Sequence, residues 1–113
     1  MSWHPRHARP ALLLAALLAC AGAAQAQSDV AKARTLASQN GCLGCHAANT
    51  RLVGPSYREV AAKYKGTDPD QLAERIRSGG KGKWGEMEMP AQAVSPEDAR
   101  TLAQWVLKGA PDK

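Results

Sequence analysis

The chain has 113 residues, with 15 Lys and Arg against 10 Asp and Glu, for a formal net charge of +5. This length allows one small domain and excludes a multidomain protein. The basic residues are dispersed along the chain, which indicates an ordinary solvated surface and not a nucleic-acid-binding patch.

Residues 1–26 have the three parts of a secretory signal peptide. Two arginines precede an apolar run from Ala11 to Ala19, and Ala24-Gln25-Ala26 supplies the small-residue cleavage site. The run is too short to span a bilayer. We therefore expect cleavage after Ala26 and export of residues 27–113 to the periplasm as the mature domain.

A lipid anchor is the alternative for the same segment. Leu17-Leu18-Ala19-Cys20 resembles a lipobox, in which Cys20 would be acylated and would attach the protein to a membrane. The two processing patterns predict mature chains of different length and mass.

The mature domain is predicted to be all-α, because apolar residues recur at helical spacing and no segment alternates as a strand does. Ser, Asp and Pro residues mark the helix starts, and Gly marks their ends. The predicted segments run, in chain order, from the cap Ser28 to Asn40-Gly41, from Tyr57 to Tyr64, from the cap Asp68 to Gly79-Gly80, and from the cap Ser95 to Lys108-Gly109.

Between the first two helices lies Cys42-Leu43-Gly44-Cys45-His46, whose two thiols and adjacent imidazole match the attachment signature of a c-type haem. At this spacing each thiol can form a thioether with a haem vinyl group, which brings His46 beneath the iron. The motif thus supplies a tether through Cys42 and Cys45 and a first axial ligand, for one haem c per chain. A buried haem also provides apolar core that a small chain without Phe lacks. We therefore expect the haem-free chain to be poorly folded.

Two other uses of a Cys-x-x-Cys pair fit this chain less well. A zinc site needs four nitrogen or sulfur ligands, and after the motif the chain has no further Cys or His; the others, His4, His7 and Cys20, lie in the predicted leader. A thioredoxin-like dithiol expects a βαβ context, whereas the segments around this motif are predicted as a helix and a loop.

Residues 79–94 are rich in Gly, Lys and Pro and are predicted to form a loop. The loop holds Met87 and Met89, the only methionines after the initiator. A thioether is a soft, neutral ligand that favours ferrous iron and suits the coordination position opposite His46. Simple core packing is the commoner role of a methionine. Because Pro90 restricts the residue before it to an extended backbone, we assign the ligand to Met89 and keep Met87 as the competitor.

Six segments together form a more specific pattern than the haem motif alone: Gly41 to His46, Val53-Gly54-Pro55-Ser56-Tyr57, Ala73-Glu74-Arg75-Ile76, Trp84-Gly85, Met89-Pro90 and Leu102-Ala103-Gln104-Trp105-Val106-Leu107. This pattern resembles the small class I bacterial cytochromes c of the cytochrome c-551 (c8) family, over about Ala37 to Leu107. The resemblance implies an all-α class I cytochrome c fold wrapped around one haem, with single-electron transfer as its activity.

The resemblance also implies roles for residues around the haem. The Pro55 carbonyl would accept a hydrogen bond from the His46 ring and so orient the ligand. Arg75 and Trp84 would hydrogen-bond a haem propionate. Without the resemblance, an exposed helix Arg and a packing Trp would be the interpretation of the last two.

These observations predict a periplasmic electron carrier, not an enzyme, with a haem ligated by His46 and Met89. Two alternatives stay open. One is a lipid-anchored cytochrome subunit of a larger oxidoreductase. The other is a haem protein whose open sixth position binds a small ligand.

The expected partners are redox proteins, and this expectation rests on the resemblance. They include a periplasmic nitrite reductase or terminal oxidase, and an upstream cytochrome or quinol-oxidising complex. Neither nucleic acid nor a membrane span is expected, and the protein is expected to be a monomer. The exposed haem edge is expected to carry an apolar docking patch with Lys81 and Lys83 at its polar rim. The candidates for the patch are Leu52, Val53, Pro90, Ala91 and Ala93.

Overall fold

The computed structural model describes residues 1–2 and 9–113; residues 3–8, which hold part of the basic region of the predicted signal peptide, lie outside the described residues. In the described part of the chain, the structure has one 3-10 turn, Cys42–Gly44, and four α-helices: α1 (Arg9–Gln39), α2 (Tyr57–Lys63), α3 (Pro69–Ser78) and α4 (Pro96–Leu107). The prediction of a small all-α fold is confirmed. Strand-like pairing in these residues is limited to two isolated bridges, His46 with Arg51 and Gly80 with Met89.

The start of the first helix differs from the prediction. We expected the helix to begin at Ser28, but α1 runs without interruption from Arg9 to Gln39, with Ser28 inside it. The reason is that the Ala- and Leu-rich segment before Ser28 consists mostly of strong helix formers, so nothing there ends the helix. At the other end, Gly41 adopts the left-handed conformation that commonly terminates a helix. None of the described helices is long and apolar enough to span a membrane.

Hydrogen bonds at the helix starts explain where the other three helices begin. The Ser56 hydroxyl accepts from the Glu59 N–H at 3.1 Å, and the Glu59 carboxylate accepts from the Ser56 N–H at 2.8 Å, which forms a complete capping box at α2. Asp68 and Ser95 accept from backbone N–H groups at the starts of α3 and α4, and a proline follows each of them. These last two starts agree with the prediction, and α2 ends at Lys63, one residue before the predicted Tyr64.

The core forms where α4 packs against each of the other three helices. Its buried hydrophobic side chains are Ala33, Ala37, Tyr57, Val60, Leu72, Ala73, Val94, Ala99, Leu102, Ala103, Trp105, Val106 and Ala110. Alanine is the most frequent of these, so the helices approach closely and the core contributes little apolar volume. Residues 14–29 of α1 are exposed, and its burial begins only with Val30 and Ala33.

Candidate functional site

A cleft of about 310 Å³ opens between the Cys42–His46 segment, α2, α3 and the loop that follows α3. Its volume is in the range of ligand-binding pockets. Apolar side chains from α2, α3 and α4 line it: Val60, Leu72, Ile76, Leu102 and Val106. All seven residues that the sequence predicted for the site also line it, namely Cys42, Cys45, His46, Pro55, Arg75, Trp84 and Met89. The competitor Met87 lies on the same cleft.

The imidazole of His46 is held by a hydrogen bond and by ring stacking. Its Nδ1 lies 2.7 Å from the Pro55 carbonyl oxygen. Because a carbonyl can only accept, Nδ1 carries the proton and donates it, and Nε2 keeps its lone pair for a metal. The Tyr57 ring stacks on the imidazole with centroids 5.3 Å apart and an interplanar angle of 19°. Tyr57 in turn meets Trp105 of α4 edge to face at 5.3 Å.

Gly54 allows the backbone to approach this imidazole closely. A Cβ atom at position 54 would lie 2.6 Å from Cε1 and 2.9 Å from Nδ1 of His46. No side chain fits there without moving the ring. Gly54 belongs to the sequence pattern, but no role was predicted for it, because its close approach to the His46 ring depends on the tertiary structure.

The two cysteines of the motif lie on a single turn beside His46. The Cys42 carbonyl accepts from the Cys45 N–H at 3.2 Å and from the His46 N–H at 3.0 Å. Neither of these cysteines forms a disulfide; Cys42 is half-buried and Cys45 is exposed. Burial raises the pKa of the Cys42 thiol, with the nearby Cys45 a smaller contribution in the same direction.

The two methionines of the loop have different surroundings. Met89 is half-buried, its N–H donates to the Gly80 carbonyl at 2.9 Å, and its carbonyl accepts from the Gly80 N–H at 3.0 Å. Met87 is 67% exposed. The Met89 side chain thus extends from a backbone that hydrogen bonds hold in place, whereas Met87 projects from the exposed part of the loop.

Basic side chains surround Trp84 at one edge of the cleft. The Lys63 ammonium nitrogen lies 4.3 Å from the Trp84 ring centroid and donates to the Lys83 carbonyl at 2.6 Å. The Arg51 guanidinium carbon is 6.0 Å from the same centroid, and Arg51 pairs with Glu59 of α2 at 2.8 Å. Lys63 and Arg51 were not among the predicted site residues, because their contacts with Trp84 join segments that are distant in the chain.

The cleft combines features that suit one kind of cofactor. In the part of the chain that the structure describes, no three His, Cys, Asp or Glu side chains come together in a way that could hold a bare metal ion. The cleft instead offers two adjacent thiols, an oriented imidazole, a thioether and a largely apolar lining. These features fit a metal that is carried by an apolar macrocycle and tethered through sulfur, and they define a haem protein of the c type.

Comparison with known proteins gives the family. The cytochrome c family model matches residues 30–110. Cytochrome c-551 of Pseudomonas aeruginosa is 49% identical over 74 residues, which cover 64% of this chain and 71% of that protein. Cytochrome c-552 of Hydrogenobacter thermophilus is 42% identical over 97 residues, 84% of this chain and 93% of that protein. The crystal structure of wild-type Nitrosomonas europaea cytochrome c552 is 42% identical with a TM-score of 0.63, over 66% of this chain and 95% of that one.

The chain therefore belongs to the cytochrome c family, as a small class I cytochrome of the c-551 group. It carries one haem c, attached covalently through Cys42 and Cys45, and functions in single-haem electron transfer. The predicted family, fold and cofactor are confirmed. Haem attachment, and not zinc binding or dithiol chemistry, is the use of the Cys-x-x-Cys pair.

Proposed function

We propose that this protein is a periplasmic electron shuttle, not an enzyme, whose haem iron is ligated by His46 and Met89. When bound, the haem supplies a one-electron ferrous–ferric couple. The observation that carries the proposal is that an oriented imidazole and a thioether reach the same cleft from separate segments of the chain. If His46 and Met89 both held the iron, no coordination position would be left for a substrate.

The contacts of His46 support the proposal that it would be the first ligand of the iron. The hydrogen bond from Nδ1 to the Pro55 carbonyl leaves Nε2 as the nitrogen that can bind iron. Such a bond fixes the ring orientation and makes the imidazole a stronger donor. Pro55 thus acts on the iron through His46.

Burial and backbone pairing favour Met89 over Met87 as the second ligand. Both backbone groups of Met89 are paired with Gly80, so its side chain starts from a defined place. The exposed segment around Met87 would have to be ordered before its sulfur could bind, which costs conformational entropy. A neutral thioether from Met89 would raise the reduction potential relative to a second His.

Arg75 and Trp84 are proposed to bind the haem propionates. Both side chains line the cleft; the guanidinium supplies positive charge and the indole supplies an N–H donor. Lys63 and Arg51 lie against the Trp84 ring. The positive charge at this edge of the cleft suits carboxylates in a partly buried site.

Redox partners are proposed to dock at exposed apolar side chains beside the cleft. Leu52 and Val53 are 49% and 54% exposed, and Pro90 is also exposed. The exposed Lys81 and Lys83 form a polar rim on the loop. A small apolar patch with a charged rim suits short-lived complexes. The proposed acceptors are a periplasmic nitrite reductase or a terminal oxidase, and the proposed donor is an upstream cytochrome or quinol-oxidising complex, each meeting a monomer of this protein.

Residues 1–26 are proposed to be an export signal and residues 27–113 the mature domain. Residues 14–26 contribute no buried side chain, so their removal leaves the core contacts of α1 unchanged. The mass of the mature protein tests this boundary. Cleavage after Ala26 gives residues 27–113 plus one haem in the soluble fraction, whereas diacylation at Cys20 gives a longer and heavier chain in the membrane fraction.

Optical spectra of the purified haem protein test the ligation. The ferric form is expected to show a weak near-infrared sulfur-to-iron band, and the ferrous form is expected not to bind carbon monoxide. Met89→Ala should lose the band and bind carbon monoxide. Met87→Ala is the matched control, since it removes the same side chain two positions away, and it should retain the band.

Two results would contradict the proposal. The opposite pattern in the two variants would make Met87 the ligand. High-spin ferric iron in the unaltered protein, together with prompt carbon monoxide binding by its ferrous form, would favour a haem protein with an open sixth position.

A further inference from the structure

The glycine that ends α3 has a backbone conformation that other residues avoid. Gly79 is buried, with φ 71° and ψ −164°. This combination of angles is essentially restricted to glycine, because a Cβ atom collides with its own backbone there. The chain therefore requires glycine at the exact point where the loop begins.

The space around Gly79 gives a second and independent reason for glycine. A Cβ atom at this position would collide with the Met89 carbonyl oxygen and would lie 2.8 Å from both the Pro90 carbonyl carbon and the Ala91 nitrogen. All three are backbone atoms, so they cannot rotate away as the end of a flexible side chain could. The end of α3 and the Met89 segment are thus in direct backbone contact.

Hydrogen bonds extend this contact on both sides of Pro90. Before it, Gly80 and Met89 exchange two backbone hydrogen bonds of 3.0 and 2.9 Å. After it, the Gln92 N–H donates to the Arg77 carbonyl at 3.1 Å, and Arg77 Nε donates to the Val94 carbonyl at 3.2 Å. Hydrogen bonds with the end of α3 therefore fix the loop from Met89 to Val94.

We infer that backbone contacts with the end of α3 position the Met89 sulfur in the cleft, and that Gly79 is the positioning residue that makes these contacts possible. The missing side chain lets the Met89 backbone pack on α3, and from there the thioether lines the cleft. This inference rests on the proposed ligation of the iron by Met89.

A pair of adjacent glycines allows a matched test in the haem-loaded protein. Gly80 has no positive φ, and a Cβ atom there meets nothing within 4 Å. Alanine at position 80 keeps the backbone bonds to Met89 and provides the control. Gly79→Ala is expected to raise the ratio of sulfur-free to sulfur-ligated protein about tenfold or more, which corresponds to about 1.4 kcal/mol. The measurements are the near-infrared sulfur-to-iron band of the ferric form and carbon monoxide binding by the ferrous form, with helical circular dichroism to verify folding.

Each outcome decides the inference. Loss of the band in Gly79→Ala alone supports it, and a folded Gly79→Ala protein with the unaltered band and no carbon monoxide binding overturns it. If the unaltered protein itself lacks the band, the ligation proposal fails and this inference fails with it.

Should Gly79→Ala not fold, Arg77→Met provides the milder test. It leaves the backbone bonds in place and removes two side-chain contacts, the hydrogen bond to the Val94 carbonyl and an exposed 3.8 Å ion pair with Glu74. When the Arg77→Met protein is heated, the sulfur band should disappear at a lower temperature than the helical circular dichroism signal. The interval between these two temperatures should be wider than in the unaltered protein. An unchanged interval would overturn the inference.

Discussion

The two sides of the haem cleft are held in different ways. On the His46 side, Gly54, Pro55 and Tyr57 contact the imidazole, and the Pro55 hydrogen bond closes over only nine positions of the chain. On the Met89 side, a loop without regular structure is held by bonds from its backbone to the end of α3 and by the contact of Lys63 with Trp84.

This difference indicates which ligand detaches more easily. The His46 side is a short-range unit that also includes the covalent haem attachment, so it can persist when more distant contacts weaken. The Met89 side depends on the packing of α2 and α3 against the loop, and such exposed, irregular segments open at lower free energy than a core does. We therefore expect the sulfur to leave the iron before the imidazole does.

The largest effect is expected from removing the two cysteines that attach the haem. This change tests whether either side of the cleft stays folded without the cofactor. In the double variant Cys42→Ala, Cys45→Ala, the apolar lining of the cleft loses its occupant, and the alanine-rich core cannot compensate for it. The variant should lose its cooperative thermal transition, as measured by far-ultraviolet circular dichroism. A sharp, native-like transition at the temperature of the haem protein would show that the chain folds without its cofactor.

The next largest effect is expected from crowding the His46 ring. In Gly54→Ala, the new methyl group would lie 2.6 Å from Cε1 and 2.9 Å from Nδ1 of His46, so the ring must move and its hydrogen bond to the Pro55 carbonyl is expected to weaken. Overpacking of this kind costs about 1–3 kcal/mol of unfolding free energy. With a weaker hydrogen bond, the imidazole would donate less electron density to the iron and would stabilise the ferric form less. The reduction potential should therefore rise.

Gly44→Ala is the control for that experiment, since a Cβ atom at position 44 meets nothing within 4 Å. The readouts are the thermal midpoint and the potential from a redox titration. If Gly54→Ala matches Gly44→Ala in both, then the close approach of Gly54 does not hold the imidazole.

A smaller effect is expected from weakening the loop on the Met89 side. Lys63→Met removes the ammonium group from the Trp84 ring and from the Lys83 carbonyl. An exposed cation–π contact contributes about 0.5–1 kcal/mol, and its loss should lower the temperature at which the sulfur band disappears. Lys65→Met removes the same charge from an exposed position two residues away and is the control. Equal shifts in the two variants would attribute the effect to net charge and not to the contact with Trp84.

The smallest effect is a pH dependence on the His46 side. The pKa of Glu59 is lowered, first by the hydrogen bond from the Ser56 N–H and then by the Arg51 side chain. A carboxyl whose pKa is lower in the folded state than in the unfolded state stabilises the fold. This stabilisation is fully present at a pH above the ordinary pKa of about 4.5, and it is lost as the pH falls through the lowered pKa.

Glu59→Gln should therefore flatten the dependence of the thermal midpoint on pH below about 4.5. The same substitution at the exposed Glu86 serves as the control. Identical slopes for the two variants would contradict a role of the capping box in the acid response.

The helices that follow the haem motif were predictable because their start signals are local. Asp68-Pro69 and Ser95-Pro96 begin α3 and α4 through side-chain bonds to backbone groups two or three residues ahead. The Ser56-x-x-Glu59 pattern of α2 was present in the sequence as well and would have sharpened that prediction. The start of α1 could not be predicted from Ser28, because a capping residue does not interrupt a helix that its neighbours already favour.

The sequence by itself determined the haem attachment, since Cys42, Cys45 and His46 lie within five consecutive residues and their chemistry needs no distant partner. It also determined the all-α class, through the spacing of apolar residues and the helix caps. Only the tertiary structure decided that the Met89 backbone pairs with Gly80 while Met87 is exposed, and that a side chain at position 54 or 79 would collide with its neighbours. The physical reason is that close approaches and backbone pairings between distant segments depend on how the helices pack, and a linear pattern does not encode those distances.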